Sequence, residues 1–326
     1  MISENSRQQS RARPLLGTRV EITATGPASR VQAALSQAFD AIAEVHALMS
    51  YQDPASELSR INQYAFAAPI AIHAHTWQVL QAARALSEAS DGLFDITIAP
   101  TLTQLGFLPR HAQFPRASRH GDWRHVVLLP EQRVQFQRRV RIDLSGIAKG
   151  YAVDLAIRAL QASGMQAGCV NAGGDLRVFG TLAQTIHVRT PRMPTQAIAL
   201  TQLCNGAAAT SAAYFTQRRQ AQRRVTPLIH PHTHSASNSQ RSITVLAPDC
   251  MHADALTKIV HADPARSTPV LERYQARALI VEQAAAGTAC RVYDSNHKVS
   301  LRDGGYPLAG SLPHAGEKGN FSDLTA

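Results

Sequence analysis

No two cysteines of this chain form a C-x-x-C pair. Cys169, Cys204, Cys250 and Cys290 lie far apart, which excludes a zinc knuckle and gives no disulfide framework. Each is expected as a small, buried apolar side chain. No window is long and apolar enough for a membrane span. The opening MISENSRQQSRARPLLGTRVEI has no apolar run of the signal-peptide kind, so a cytoplasmic location is expected. Aromatic residues are scarce at 6%, which leaves few side chains to stack on bases. Acidic residues are also short, since 23 Asp+Glu face 33 Lys+Arg for a formal charge of +10. That excess favours an anionic partner: nucleic acid, a membrane surface or a phosphorylated small molecule. The bases are scattered in pairs such as Arg218-Arg219 and Arg223-Arg224, which argues against nucleic acid. There is no G-x-S-x-G elbow, no H-E-x-x-H helix and no G-x-x-x-x-G-K loop, so serine hydrolase, zincin and Walker-type chemistries lack support. No repeat of about 20 to 50 residues is visible.

What is present can build a core. The 326 residues are 44% hydrophobic, enough for one large domain or two ordinary ones. Apolar residues at helical spacing (Val31, Leu35, Phe39, Ile42, Val45) predict a helix over 28–49, and similar patterns predict helices over 76–90, 151–163 and 250–261. Alternation predicts strands at TRVEITAT, 124–129, 134–137, 140–144, 186–189, 197–203, SITVLAP and RALIVEQ, with AGCVNAGGDLRVFG as strand, glycine turn, strand. Strands outnumber helices without regular alternation, which predicts an α+β fold.

Chemistry concentrates in a few segments. In RIDLSGIAKGYAVD a strand delivers Asp143, glycines loosen the turn, and Lys149 stands where a helix begins. Such a junction offers backbone N–H groups and a positive charge to a phosphate, although an ordinary glycine turn with a solvated lysine has the same pattern. In CMHADALTKIV, Asp254 shares a helix face with Thr257 and Lys258. The carboxylate and hydroxyl suit Mg²⁺, while a surface Asp–Lys pair is the simpler reading. DGLFDITIAP, NAGGDLRVFG with Asp175, and AATSAAYF with Thr210 and Ser211 are weaker signals.

Taken together and in order, LGTRVEI, MSYQDPASELSRIN, DGLFDITIAP, DLSGIAKGYAVD, VNAGGDLRVFG, ATSAAYF and ITVLAPDCMHADALTKIV resemble the FAD:protein FMN transferases, the ApbE-type flavin transferase family. The resemblance implies a single T-fold-related α+β domain over 14–290, with mixed or antiparallel sheets and flanking helices. Residues 1–13 would be a polar lead and 291–326 a flexible tail. It implies Mg²⁺ as cofactor and FAD as substrate, with FMN passed to a Ser or Thr hydroxyl of a partner protein and AMP released. Hydrolysis of FAD to FMN and AMP, or FAD binding without turnover, are the alternatives. Carried over, Met49, Phe94, Asp95, Asp143, Lys149 and Thr233 would bind the flavin nucleotide. Gly146, by its carbonyl, Asp254 and Thr257 would hold the metal, and Lys149 and Asp254 would be catalytic. Many relatives are exported and lipid-anchored, so a periplasmic, inner-membrane-associated location is the family-based alternative.

The departures matter equally. The family usually has Thr or Ser four residues after the metal-binding Asp, where this chain has Lys258. Either Thr257 replaces that ligand or the Lys258 ammonium displaces the metal charge. LIHPHTH stands where the family shows an IIDPRTG-like segment, so His230, His232 and His234 replace Asp, Arg and Gly. Pro231 interrupts a three-ligand strand there, so the histidines read as substitutions within a nucleotide-binding segment, with solvated side chains or a transition-metal site as the alternatives. Pro227 stands where many members carry a His that could act as base, and it cannot take a proton. Ala212 stands where Gly is common, and would strain the turn if φ > 0 were needed.

Overall fold

A computed structural model describes residues 6–118, 121–189, 197–212, 217–220, 223–237, 241–284, 287–293 and 298–301. Strands β1 (Ser6–Leu15) and β2 (Thr18–Pro27) form an opening hairpin. Helices α1 (Val31–Met49) and α2 (Glu57–Tyr64), strand β3 (Ile70–Ala71), and helices α3 (Ala74–Ala89) and α4 (Ala99–Gln104) follow. Next come β4 (Val126–Leu129), β5 (Arg133–Phe136), α5 (Ala148–Ala162), β6 (Ala167–Ala172), β7 (Asp175–Phe179), β8 (Gln184–Arg189), β9 (Ala197–Leu203) and β10 (Gly206–Ala212). The chain continues through β11 (Arg218–Gln220), β12 (Arg223–Val225), β13 (Ser242–Ala247), α6 (Cys250–Ala262), α7 (Pro264–Arg273), β14 (Arg277–Ala284), β15 (Gly287–Tyr293) and β16 (Lys298–Leu301).

The main sheet has nine strands in the order β1-β2-β6-β7-β10-β13-β14-β15-β16, and every neighbouring pair is antiparallel. The fold is thus the α+β type expected. Val20, Ile22 and Ala24 of β2 point into the core, whereas Arg19 and Glu21 face outward. On α1, Val31, Leu35, Ala38, Phe39, Ile42 and Val45 form the buried stripe that its spacing predicts. Helices α1, α5 and α6 pack on one face of the sheet. On the other face Cys169, Leu176, Val178 and Ala208 meet Ile186 and Leu203 of the β8–β9 hairpin. The middle strands β6, β7 and β10 are therefore buried on both faces, which accounts for their apolar runs.

Several expectations change. The segment 140–144 is not a strand. Its buried backbone finds a side chain instead, since Asn62 Nδ2 donates to Ile142 O at 2.9 Å and Ile142 N–H donates to Asn62 Oδ1 at 2.8 Å. The polar lead takes part in the sheet from Ser6 onward as β1, an edge strand whose polarity fits its exposed position. β15 and β16 likewise extend into the segment read as a tail, and 302–326 of it lie outside the described residues. Helix α7 escapes detection because prolines sit in it. Pro264 occupies its first turn, where no N–H is needed, and Asp263 caps Ala265 and Arg266 at 3.0 and 3.1 Å. Cys169 and Cys250 are buried as expected, Cys204 only half so, and the Cys290 side chain lies outside the described residues. Among the described residues no helix is long and apolar enough to cross a membrane.

Candidate active site

Four separate stretches converge beside the start of α5. The Asp143 N–H donates to Ile96 O at 2.8 Å, tying DGLFDITIAP to DLSGIAKG. Asp95 is anchored at the same corner, with Oδ1 accepting from Thr97 N–H and Oγ1 at 2.7 Å each and Oδ2 accepting from Trp123 N–H at 3.3 Å. The glycine turn between β6 and β7 presents Asp175, whose carboxylate pairs with the Lys149 ammonium. Helix α6 contributes Asp254, Thr257, Lys258 and His261 at spacings that share one face. Gly150 permits the close crossing of α5 and α6, because a Cβ there would stand 2.2 Å from Cys250 O.

The electrostatics are those of buried charges held by partners. Burial works against the Lys149 charge, yet the Asp175 and Asp254 carboxylates outweigh it and hold its pKa above the ordinary lysine value. Burial likewise pushes Asp254 up, but Lys258 and Lys149 outweigh it and hold the carboxyl below the usual range. Asp143 and Asp95 are pushed up by burial, which their hydrogen bonds offset only in part. His261 is held down at about 4 by burial and by the Arg241 and Lys258 charges. Its ring is therefore neutral at pH 7, and neither ring nitrogen has a hydrogen-bond partner among the described residues.

Some of these groups border a cleft of about 1270 Å³, and Asp175, Asp254 and Thr257 lie behind its wall. Phe94, Asp95, Asp143, Gly146 and Lys149 line it, as do Lys258 and His261. Arg19 and Arg218 add positive charge from β2 and β11. His261, Arg19 and Arg218 were not among the site residues drawn from sequence, and Asp175 was only a weaker signal there. The glycines before Asp175 were a usable signal, and so was the recurrence Asp254, Lys258, His261 along one helix face. Nothing local marked the arginines.

Other expected residues lie elsewhere. Met49 is 5% exposed in the core and Thr233 is exposed, bonding Ser235 Oγ at 2.7 Å; neither borders the cleft. Asp254 and Thr257 are wholly buried behind Lys258. Ala212 continues β10 opposite Ser242 and takes no left-handed φ, so the Gly-to-Ala change strains nothing. The rest of its motif, 213–216, lies outside the described residues.

The three alternate histidines form a tight loop, not a strand. Ile229 bridges Ala236, and His234 N–H donates to His230 O at 2.8 Å. His234 has φ +53°, a left-handed conformation that glycine adopts more easily. His232 Nε2 meets Asp91 O at 2.9 Å, while His234 Nδ1 faces Thr101 Oγ1 at 3.4 Å. Among the described residues the group whose ligand atoms do converge is Glu44, His73 and His75, none of which borders the cleft. His73 Nδ1 there accepts the His75 N–H at 3.2 Å, and its Nε2 faces Glu44 at 3.7 Å.

The Mg²⁺ implied by the resemblance can be tested against the donor set. Asp254 Oδ2 accepts the Gly150 N–H at 3.2 Å, and Oδ1 is held by the Lys258 ammonium. Thr257 Oγ1 donates to Asp254 O at 2.7 Å and shares a 2.8 Å hydrogen bond with Ser211 Oγ. A Cβ on Gly146 would lie 3.5 Å from Lys258 Cε, so the lysine fills the space between Gly146 and Asp254. Mg²⁺ needs about six oxygen ligands at ~2.1 Å, and these residues do not fit it.

The ApbE family model matches residues 16–280. The FAD:protein FMN transferase of Vibrio cholerae is 28% identical over 253 residues, covering 73% of this chain and 76% of that protein. The protein of the same name from Haemophilus influenzae is 30% identical over 234 residues, covering 66% and 68%. Among solved structures, the ApbE protein of Thermotoga maritima superposes with a TM-score of 0.75 at 26% identity, over 86% of this chain and 96% of that one. The Vibrio cholerae flavin transferase ApbE gives 0.74 at 24% identity, over 89% and 98%, a likeness of fold. With the match running from the start of β2 into β14 and taking in each segment that borders the cleft, this chain belongs to the ApbE family.

Proposed function

We propose that the protein transfers the FMN half of FAD to a Ser or Thr hydroxyl of a partner protein and releases AMP. The observation that carries this reading is the cleft itself. It is large enough for a dinucleotide, with Phe94 in its lining suited to a ring and Lys149, Lys258, Arg19 and Arg218 lining it with positive charge for phosphates. The FAD:protein FMN transferase name of the relatives supports the same assignment.

In the step, the acceptor oxygen forms a bond to the phosphorus of the FMN half. The bond from that phosphorus to the bridging oxygen breaks, and AMP leaves with that oxygen. Negative charge builds on the phosphoryl oxygens, and fixed cations at the cleft wall stabilise it. Lys149, held in place by Asp175, is oriented for this. The hydroxyl proton needs an acceptor, which Pro227 cannot be. His261 is neutral, unpartnered among the described residues and on the wall, but both its ring nitrogens are buried, so it takes that role as a weak base only once the ring turns toward the acceptor.

Incubation with FAD and a Thr-containing acceptor peptide, with and without Mg²⁺, tests the reading by AMP chromatography and peptide mass. Peptide gaining one FMN per AMP released is the expected result. AMP and free FMN without an acceptor would make the protein a hydrolase, and bound FAD returned intact would make it a binding protein.

A further inference from the structure

The Lys258 side chain is attached to the helix that carries Asp254, yet it does not behave as a solvated surface partner. Asp254 is wholly buried. The ammonium bonds its carboxylate and also donates to Asp254 O at 3.0 Å, while the aliphatic stem runs past Gly146. The other face of the lysine borders the cleft. One positive charge thus stands between a buried carboxylate and the space where a pyrophosphate would lie, flanked by the residues to which the resemblance assigns a divalent ion.

We propose that Lys258 is this chain's resident cation, a covalently tethered ammonium that takes the place of a divalent metal ion, so that the cleft binds the pyrophosphate of its nucleotide without a metal. This rests on the dinucleotide reading above. For a metal to enter, Lys258 must leave a carboxylate that has no access to solvent, and two cations would then compete for one anion. Thr257 cannot compensate, because its hydroxyl is already engaged by Asp254 O and Ser211. The ammonium supplies one charge where a divalent ion supplies two. Arg19 and Arg218 on the cleft wall offset part of that difference.

The test uses Mn²⁺ as a paramagnetic probe, titrated into the full chain with and without FAD and followed by electron paramagnetic resonance. FAD affinity is measured separately by flavin fluorescence in EDTA and in Mg²⁺. The wild type is expected to show no saturable Mn²⁺ binding beyond that of free FAD, and the same FAD affinity within about twofold in both buffers. The K258T variant, with Asp254 freed, is expected to bind Mn²⁺ near one per chain, and its Tm should rise with Mn²⁺ while that of the wild type does not. One tight Mn²⁺ per wild-type chain, lost in D254N, would overturn the inference. A FAD affinity that falls tenfold or more in EDTA would do the same. If K258T does not fold, the wild-type titration still decides. If no FAD binds in either buffer, the nucleotide reading fails, while Mn²⁺ binding to the wild type still tells a tethered ammonium from a metal site.

Discussion

Asp154 on α5 and Asp254 on α6 make an instructive pair. Both are buried carboxylates beside the same helix crossing, and each has one cationic partner in direct contact. Asp154 takes the Arg177 guanidinium at 2.7 Å and accepts the N–H groups of Cys250 and Met251 at 3.0 and 2.9 Å. Its bonding capacity goes into fastening the start of α6 to α5 and β7. Asp254 accepts a single N–H, from Gly150 at 3.2 Å, and its cation borders the cleft. The first carboxylate holds the frame, and the second holds a charge that faces the cleft. Which role a buried acid plays depends on whether its partner borders the cleft, as Lys258 does and Arg177 does not.

Breaking the frame should give the largest effect. Asp154→Ala leaves Arg177 and two backbone donors uncompensated, and is expected to cost about 3–5 kcal/mol of stability in urea unfolding. A loss below about 1 kcal/mol would erase the distinction between the two acids.

The cleft-facing side of α6 should reveal itself through pH. In the unfolded chain His261 takes up a proton near its ordinary value of 6.5, in the fold only near about 4. The depressed value means that stability is full above pH 6.5 and falls as the pH drops toward 4, by up to ~3 kcal/mol. Unfolding curves of His261→Phe should show a smaller loss across that window.

Asp254→Asn sharpens the contrast from the other side. It keeps an acceptor for Gly150 N–H and leaves Lys258 able to turn into the cleft, so the expected stability loss is only about 1–2 kcal/mol. FMN transfer, read as AMP release, should fall by about 100-fold because the ammonium loses its anchor. Gly150→Ala forces apart the crossing that both acids share, and about 1–3 kcal/mol is the expected cost. Ala212→Gly lies outside both frames. With no left-handed φ to relieve, it should destabilise by at most ~1 kcal/mol, and a gain in Tm would show hidden strain.

Much of this arrangement was readable from local patterns. Val31, Leu35, Phe39 and Ile42 announce α1 because one helix face must be apolar to pack. The collinear segments around Asp95, Asp143 and Asp254 identify the family and name residues that do converge. The failures have physical causes. The stretch 140–144 alternates like a strand, but the Ile142 backbone bonds the Asn62 side chain, 80 residues earlier in the chain, and Asp143 N–H donates to Ile96 O. Met49 matches a motif position, yet its side chain is spent on the core.

Periodicity, turn residues and motif order were sufficient for the α+β class, the main helices and the family, because these depend on neighbours within a few residues along the chain. The pairing of Lys149 with Asp175, the closure of the Asp254 carboxylate by Lys258 across Gly146, and the bare nitrogens of His261 depend on which segments share a wall. Sequence spacing could put Lys258 and Thr257 on one face with Asp254. Only packing could make that carboxylate wholly buried, and burial is what ties the ammonium to it.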